Sequence, residues 1–210
     1  MDKCKYDITR LKMERCAEAL RDNNMYCECV DSVEEALEVV ESLINDGDTV
    51  AVGGSMTLFE AGIIDMLRER DINFLDRYAP DADVPKIYMD SFAADVYLTS
   101  SNAITENGEL YNVDGNCNRV AAMTFGPKSV IVVAGYNKIV KDLDAAKVRV
   151  QEIAAPANAT RLGLENPCTK TGHCMNCASV SRICATTVIM ARQRVQNRIK
   201  VILVGEELGY

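Results

Sequence analysis

The sequence predicts an α/β fold, a mostly parallel sheet with helices on both faces, organised as a single domain over residues 1–210. Two observations carry this reading. Short unbroken apolar runs such as Val50-Ala51-Val52 and Val130-Ile131-Val132-Val133-Ala134 lack the alternation of a half-exposed strand. They suit strands covered on both faces, as in a parallel sheet. These runs also alternate with segments of helical spacing, an order that implies right-handed βαβ crossovers.

Taken in order, residues 7–23 place Ile8, Leu11, Met13, Cys16, Ala19 and Leu20 near helical spacing, so the chain opens on a helix. Residues 25–30 read as a strand. Ser32 opens the next helix, and Glu35 completes a capping box. Residues 49–52 form a buried strand ending in Gly53-Gly54-Ser55. Residues 55–69 read as one helix with Met56, Phe59, Ile63 and Leu67 on its inner side, and 72–75 as a strand. Pro80, Asp81, Asp83 and Pro85 mark residues 76–85 as a lid-like surface excursion. Strands follow at 95–99, 109–113 and 129–134, with a short helix at 118–124 between the last two. Residues 142–159 make a helix with Leu143, Ala146, Val150 and Ile153 inward. Residues 186–191 and 199–204 read as two strands joined by a polar turn, a C-terminal β-hairpin.

Composition sets bounds on function. Hydrophobic residues are 48% and charged residues 26%, ordinary for a globular protein. The net charge of -8 leaves no basic stripe for phosphate backbones, so nucleic acid is not an expected partner. No apolar run approaches the ~20 residues of a membrane span. The stretch beginning Met1-Asp2-Lys3-Cys4-Lys5 has no apolar signal core, and a cytoplasmic location is expected.

Ligands of open α/β sheets collect beyond the carboxyl ends of the strands. Three turns are expected there. In the first, Gly53 and Gly54 permit close backbone approach, and Ser55 and Thr57 add hydroxyls at a helix start. The alternative is a tight strand-to-helix turn with Ser55 as cap. The second holds Ser101 and Asn102, followed by Glu106, the candidate general base or orienting carboxylate. Its Asn107-Gly108 pair is equally a hairpin signal. The third carries Asn116 and Arg119, and Arg119 is suited to gripping a carboxylate or phosphate at two points. The only histidine, His173, lies among clustered cysteines. No dinucleotide, P-loop or GxSxG pattern is present.

Four of the nine cysteines, Cys168, Cys174, Cys177 and Cys184, fall in a Cys-rich segment at 167–185 with spacing C-x5-C-x2-C-x6-C. Two residues between Cys174 and Cys177 let both thiolates face one ion, so the four are candidate ligands of one metal centre. Small buried hydrophobes, regulatory disulfides or a redox pair are the competing readings.

Val52-Gly53-Gly54-Ser55-Met56-Thr57, Ser101-Asn102-Ala103-Ile104-Thr105-Glu106-Asn107-Gly108, Asn118-Arg119-Val120-Ala121-Ala122, Phe125-Gly126-Pro127-Lys128 and the ending Val201 to Tyr210 together resemble the LUD-domain proteins, the lactate-utilisation family. The resemblance runs over nearly the whole chain in order. It implies a fold similar to the ribose-5-phosphate isomerase/CoA-transferase group. It also implies a part in the iron–sulfur-dependent oxidation of a small hydroxy acid such as L-lactate to pyruvate. An iron–sulfur cluster on the four cysteines suits that context, whereas Zn²⁺ suits the ligand chemistry alone. The chain lacks tandem ferredoxin motifs, so ferredoxin-like redox subunits are expected partners beside a small anionic substrate, with a homo-oligomer left open. Cys117 departs from the family, which often has a small glycine there. Two other roles compete: a stand-alone enzyme or binding protein for a phosphosugar, acyl-CoA or similar anion, and a metal- or redox-sensing regulator.

Overall fold

The computed structural model describes residues 2–210; Met1 of the expected domain lies outside them. The chain begins with α1 (Lys3–Asp22), β1 (Tyr26–Val30), α2 (Val33–Ser42), β2 (Thr49–Val52), α3 (Met56–Glu60), α4 (Ile63–Glu69) and β3 (Asn73–Leu75). It continues with α5 (Val84–Asp90), β4 (Val96–Thr99), β5 (Ala103–Thr105), β6 (Leu110–Asp114), α6 (Asn118–Thr124), β7 (Ser129–Gly135) and β8 (Ile139–Val140). Next come α7 (Leu143–Arg149), a π-helical turn (Val150–Ala154), α8 (Ala155–Arg161), α9 (Pro167–Thr171), β9 (Thr186–Met190) and β10 (Ile199–Val204).

Six strands form one wholly parallel sheet in the order β1-β10-β7-β4-β2-β3. Its central strands are apolar on both faces because helices cover both. Val40, Leu58 and Ile64 from α2, α3 and α4 pack on Val50, Val52, Leu98 and Ile131. On the other face, Met13, Leu20, Ala122 and Met123 from α1 and α6 pack on Ala51, Tyr97, Val130 and Val132. The fold class is the expected one. A second sheet of four strands, β8-β5-β6-β9, continues that second core through Ile104, Leu110 and Met190. Ala146 and Val150 of the α7 region cover its other face at Ala103 and Tyr111.

Several elements differ from expectation, each for a local reason. The C-terminal hairpin does not form. β10 runs parallel between β1 and β7, while β9 pairs antiparallel with β6. Val201 to Val204 are all buried, which demands a strand covered on both faces, whereas β9 alternates as an edge strand does. The single helix expected at 55–69 breaks at Gly62, whose φ of 66° is left-handed. Phe59 therefore stays 39% exposed instead of turning inward. Pro85 does not end a loop but sits in the first turn of α5, where a missing N–H is harmless, with Asp83 accepting from the Lys86 N–H.

The π turn carries more consequence. Pro156 has no N–H to continue the helical ladder, and the extra residue rotates the following face. Ala154 points inward in place of Ile153, which is 51% exposed. The Gln151 carbonyl instead accepts the Cys174 N–H at 2.9 Å, tying the cysteine segment to this helix.

Hydrogen exchange tests the strand assignment. Amides of β10, paired on both sides, are expected among the slowest in the chain, and those on the open edge of β9 are expected to exchange faster. Similar protection in the two strands would restore the hairpin.

Candidate functional site

A cavity of about 490 Å³ opens beyond the carboxyl ends of the main sheet. It lies where the chain leaves β2 to one side for β3 and returns on the other side as β4, the topological switch at which such folds bind ligands. Five of the six strand ends contribute: Gly54 and Ser55 after β2, Arg77 after β3, Ser100 to Asn102 after β4, Lys138 after β7 and Tyr210 after β10. The third expected turn supplies Asn116 and Arg119, while Asn158 and Arg161 of α8 and residues 180–183 of the cysteine segment close the remaining wall.

Gly53 lies beneath the wall rather than on it. A β-carbon there would sit 2.9 Å from Thr99 Oγ1 and 3.0 Å from both the Tyr97 hydroxyl and Arg119 Cγ, so this position needs glycine for close packing. Gly54 would meet only Arg77, at 3.7 Å. Thr57 is fully buried and takes a hydrogen bond from Lys138.

Three expected ligand groups have their polar atoms engaged inside the protein. Arg119 is 8% exposed. Its Nε donates to Asp114 at 2.9 Å, Nη1 to the Ser100 carbonyl at 2.9 Å and to Asn112 at 2.6 Å, and Nη2 to Asn102 at 2.9 Å and the Val113 carbonyl at 3.2 Å. A guanidinium has five N–H donors, so none is left for a ligand. Asn102 Oδ1 also accepts the Val113 N–H, and the Ser101 hydroxyl donates to Ala103 and Tyr111 carbonyls. These residues build the wall rather than reach across it. Cys117, at φ 64°, takes the left-handed conformation that glycine adopts most easily, and its thiol donates to Thr186.

Glu106 is not at this rim. The β5–β6 hairpin carries it to the far end of the second sheet, where it pairs with Lys12 at 3.7 Å and Arg15 at 3.3 Å of α1. A two-strand excursion puts its entry and exit at the cavity and its turn away from it, so the expected general base is corrected to an ion pair with α1. His173 is exposed; its ring Nδ1 meets the Thr171 carbonyl and its own carbonyl accepts from the Thr171 hydroxyl.

Of the groups that face the cavity with free capacity, Ser55 was expected from the sequence, whereas Arg77 and Lys138 were not singled out. Arg77 donates to the Tyr88 hydroxyl at 2.7 Å and stacks on that ring, yet among the described residues its buried Nε has no partner, and neither does the buried Ser55 hydroxyl. Lys138 is 2% exposed. Its amine donates to Thr57 Oγ1 at 2.8 Å and Ser100 Oγ at 2.9 Å, and burial, with Arg149 and Arg119 nearby, pushes its pKa down to about 7. Both follow strand ends, so the rim rule applied to every strand would have found them.

The cysteine segment is closed at its base. Asn166 exchanges hydrogen bonds with Ser181, and Arg182 donates to the Cys177 and Cys184 carbonyls. Cys174 and Cys184 line a smaller cavity of about 190 Å³, and Arg182 lines both cavities. Burial raises the Cys168 pKa, and the other three thiols add to the rise; hydrogen bonds from Ser179 lower that of Cys177. Among the described residues, no three His, Cys, Asp or Glu side chains gather as a metal-holding group.

Fold and site together define an open parallel α/β domain with an arginine-lined cavity at its carboxyl rim. The chain belongs to the LUD domain family, whose model matches residues 13–204. A DUF162 family protein from Deinococcus radiodurans, 14% identical, is similar at a TM-score of 0.50 over 93% of this chain and 98% of that one. A weaker likeness, at a TM-score of 0.39 and 17% identity, is to eIF2B beta from Chaetomium thermophilum, over 53% of this chain and 43% of that one. No curated protein matches the sequence. Among the described residues, no helix is long and apolar enough to cross a membrane.

Arg119→Lys is expected to lower the unfolding free energy by about 3–5 kcal/mol in urea titration, because a point charge cannot satisfy this buried network. A loss under about 1 kcal/mol would mean the guanidinium is free for ligand.

Proposed function

We propose that this chain binds a small carboxylate of the L-lactate and pyruvate class in its rim cavity. In this reading it serves as a cytoplasmic subunit of an iron–sulfur-dependent hydroxy-acid oxidation, passing electrons to ferredoxin-like partners. The observation that carries the reading is charge. Arg77, Arg119, Arg161 and Arg182 line the cavity, together with the buried amine of Lys138, against one carboxylate, Asp114, which is already paired with Arg119. A protein of net charge -8 that concentrates cations in one cleft is suited to gathering anions there. Membership of the lactate-utilisation family supplies the hydroxy-acid class. The volume favours a second reading: about 490 Å³ accommodates a phosphosugar or part of an acyl-CoA as well as a three-carbon acid.

Calorimetry with L-lactate, pyruvate, a phosphosugar and acetyl-CoA separates the two. The acids are expected to bind, and Arg77→Ala to weaken them by at least ~10-fold, the value of a charge-assisted hydrogen bond. Binding of only the larger anions would favour the second reading. Binding of the neutral amide of lactate as tightly as lactate itself would remove both.

The cofactor proposed with this function is an iron–sulfur cluster, or Zn²⁺, on Cys168, Cys174, Cys177 and Cys184. Four soft thiol donors on one closed segment fit such a group, and the segment has to draw together further to hold it. A cluster there would supply a one-electron carrier beside the cavity. Anaerobic purification is expected to return stoichiometric metal, with sulfide if a cluster is present, and Cys177→Ser to lose it. Metal-free wild type with an equally stable variant would leave four ordinary cysteines.

A further inference from the structure

Lys138 is unusual among the lysines of this chain. It is 2% exposed, lines the cavity and has no ion pair among the described residues. A buried ammonium without a carboxylate is strongly disfavoured, whereas a neutral amine is tolerated. Its two hydroxyl partners decide what the neutral amine can do. The Thr57 hydroxyl is directed at the Leu208 carbonyl at 3.4 Å, and the Ser100 hydroxyl at the Ser101 carbonyl at 3.5 Å. With their protons directed there, both oxygens accept from the amine. A neutral amine that donates both of its N–H groups keeps its lone pair unused. The charged groups that act on this site are Arg149 of α7, Arg119 of α6 and Glu60 of α3, the two arginines favouring the neutral form and Glu60 opposing them.

We infer that Lys138 is an imine-forming lysine whose amine adds to the carbonyl of a small 2-oxo acid held in the rim cavity. The inference rests on the reading that this cavity takes a small carboxylate, and it adds the carbonyl as the second recognised group. The lone pair of Nζ attacks the carbonyl carbon, and the C=O π pair takes a proton from solvent water in the open cavity to give a carbinolamine whose nitrogen is protonated. Loss of one water then leaves the protonated imine. No electrons are gained or lost, so no oxidant is needed. The hydroxy-acid form of the same compound has no ketone carbonyl and binds without this bond. The site therefore distinguishes the two oxidation states of one carbon skeleton. Desolvated lysines are activated as nucleophiles in this way.

The test is reductive trapping of the intact protein with sodium cyanoborohydride at pH 7, in the presence of pyruvate, L-lactate or acetone, followed by peptide mapping. Pyruvate is expected to add one acid, less one oxygen, per chain on the peptide holding Lys138. The rate should exceed that at exposed lysines by at least roughly tenfold, since those are almost wholly protonated. L-lactate is expected to give no adduct and to slow trapping by competition. Lys138→Arg is expected to lose the adduct, and mapping of wild type decides the matter even if that variant fails to fold. Protein that binds pyruvate by calorimetry yet gives no adduct, or labels evenly across its lysines, overturns the role of Lys138 and leaves the carboxylate reading intact. Trapping of acetone as fast as pyruvate overturns the 2-oxo-acid class and the carboxylate reading with it.

Discussion

Arg119 cannot escape burial by losing its proton, so a guanidinium that is 8% exposed obliges its surroundings to answer five N–H donors. Those answers come from three places in the chain: the Ser100 and Asn102 turn after β4, the Asn112 to Asp114 end of β6, and through Asp114 the Val120 N–H in the first turn of α6. One side chain thereby fixes the main sheet, the second sheet and a helix at their common corner. The cavity is the space left beside that corner. Gly53 belongs to the same constraint, because the Arg119 stem passes where its side chain would be. Breaking such a network leaves buried polar atoms without partners, which is why its members are more demanding than their exposed counterparts.

A second dependence runs through Pro156. The carbonyl it leaves free is claimed by the backbone of Cys174, and the rotation it causes brings Ala154 and Asn158 to the cavity wall. The cysteine segment is thus anchored at Asn166–Ser181, at Arg182 and at Gln151, three points around an otherwise irregular stretch. Backbone that lacks regular structure still has to satisfy its polar groups. Here it does so by borrowing the Gln151 carbonyl from a helical segment that also lines the cavity, so a rearrangement of the thiols has a short physical route to the cavity through Arg182.

The sheet was legible because continuous apolar runs have one stable environment in a soluble protein, and most strands and helices stand where periodicity put them. What escaped the sequence depended on partners far along the chain. β9 and β10 look like a hairpin locally, and only the competition for central positions in two sheets separates them. The π turn arises from a single proline inside an otherwise regular helical pattern. At the site, the small-residue turns were readable and their chemistry was not. Ser101, Asn102 and Arg119 have ligand-binding side chains, but a buried arginine recruits nearby acceptors before any ligand arrives. Glu106 was misplaced because residues adjacent in sequence to a rim turn can be the length of a strand away from it.

Arg119 and Lys138 answer burial in opposite ways, and this difference organises the site. Arginine keeps its charge and is surrounded by oxygens. Lysine, whose pKa falls to about 7 where only hydroxyls surround it, gives up part of its charge near neutral pH. The permanent cation next to it then works against reprotonation, as does Arg149, which is itself held by the Asn137 and Asn102 carbonyls. An anion entering the cavity reverses part of that effect, because negative charge close to Nζ favours the ammonium. Negative charge in the cavity and the protonation of Lys138 are therefore linked through the same few ångströms.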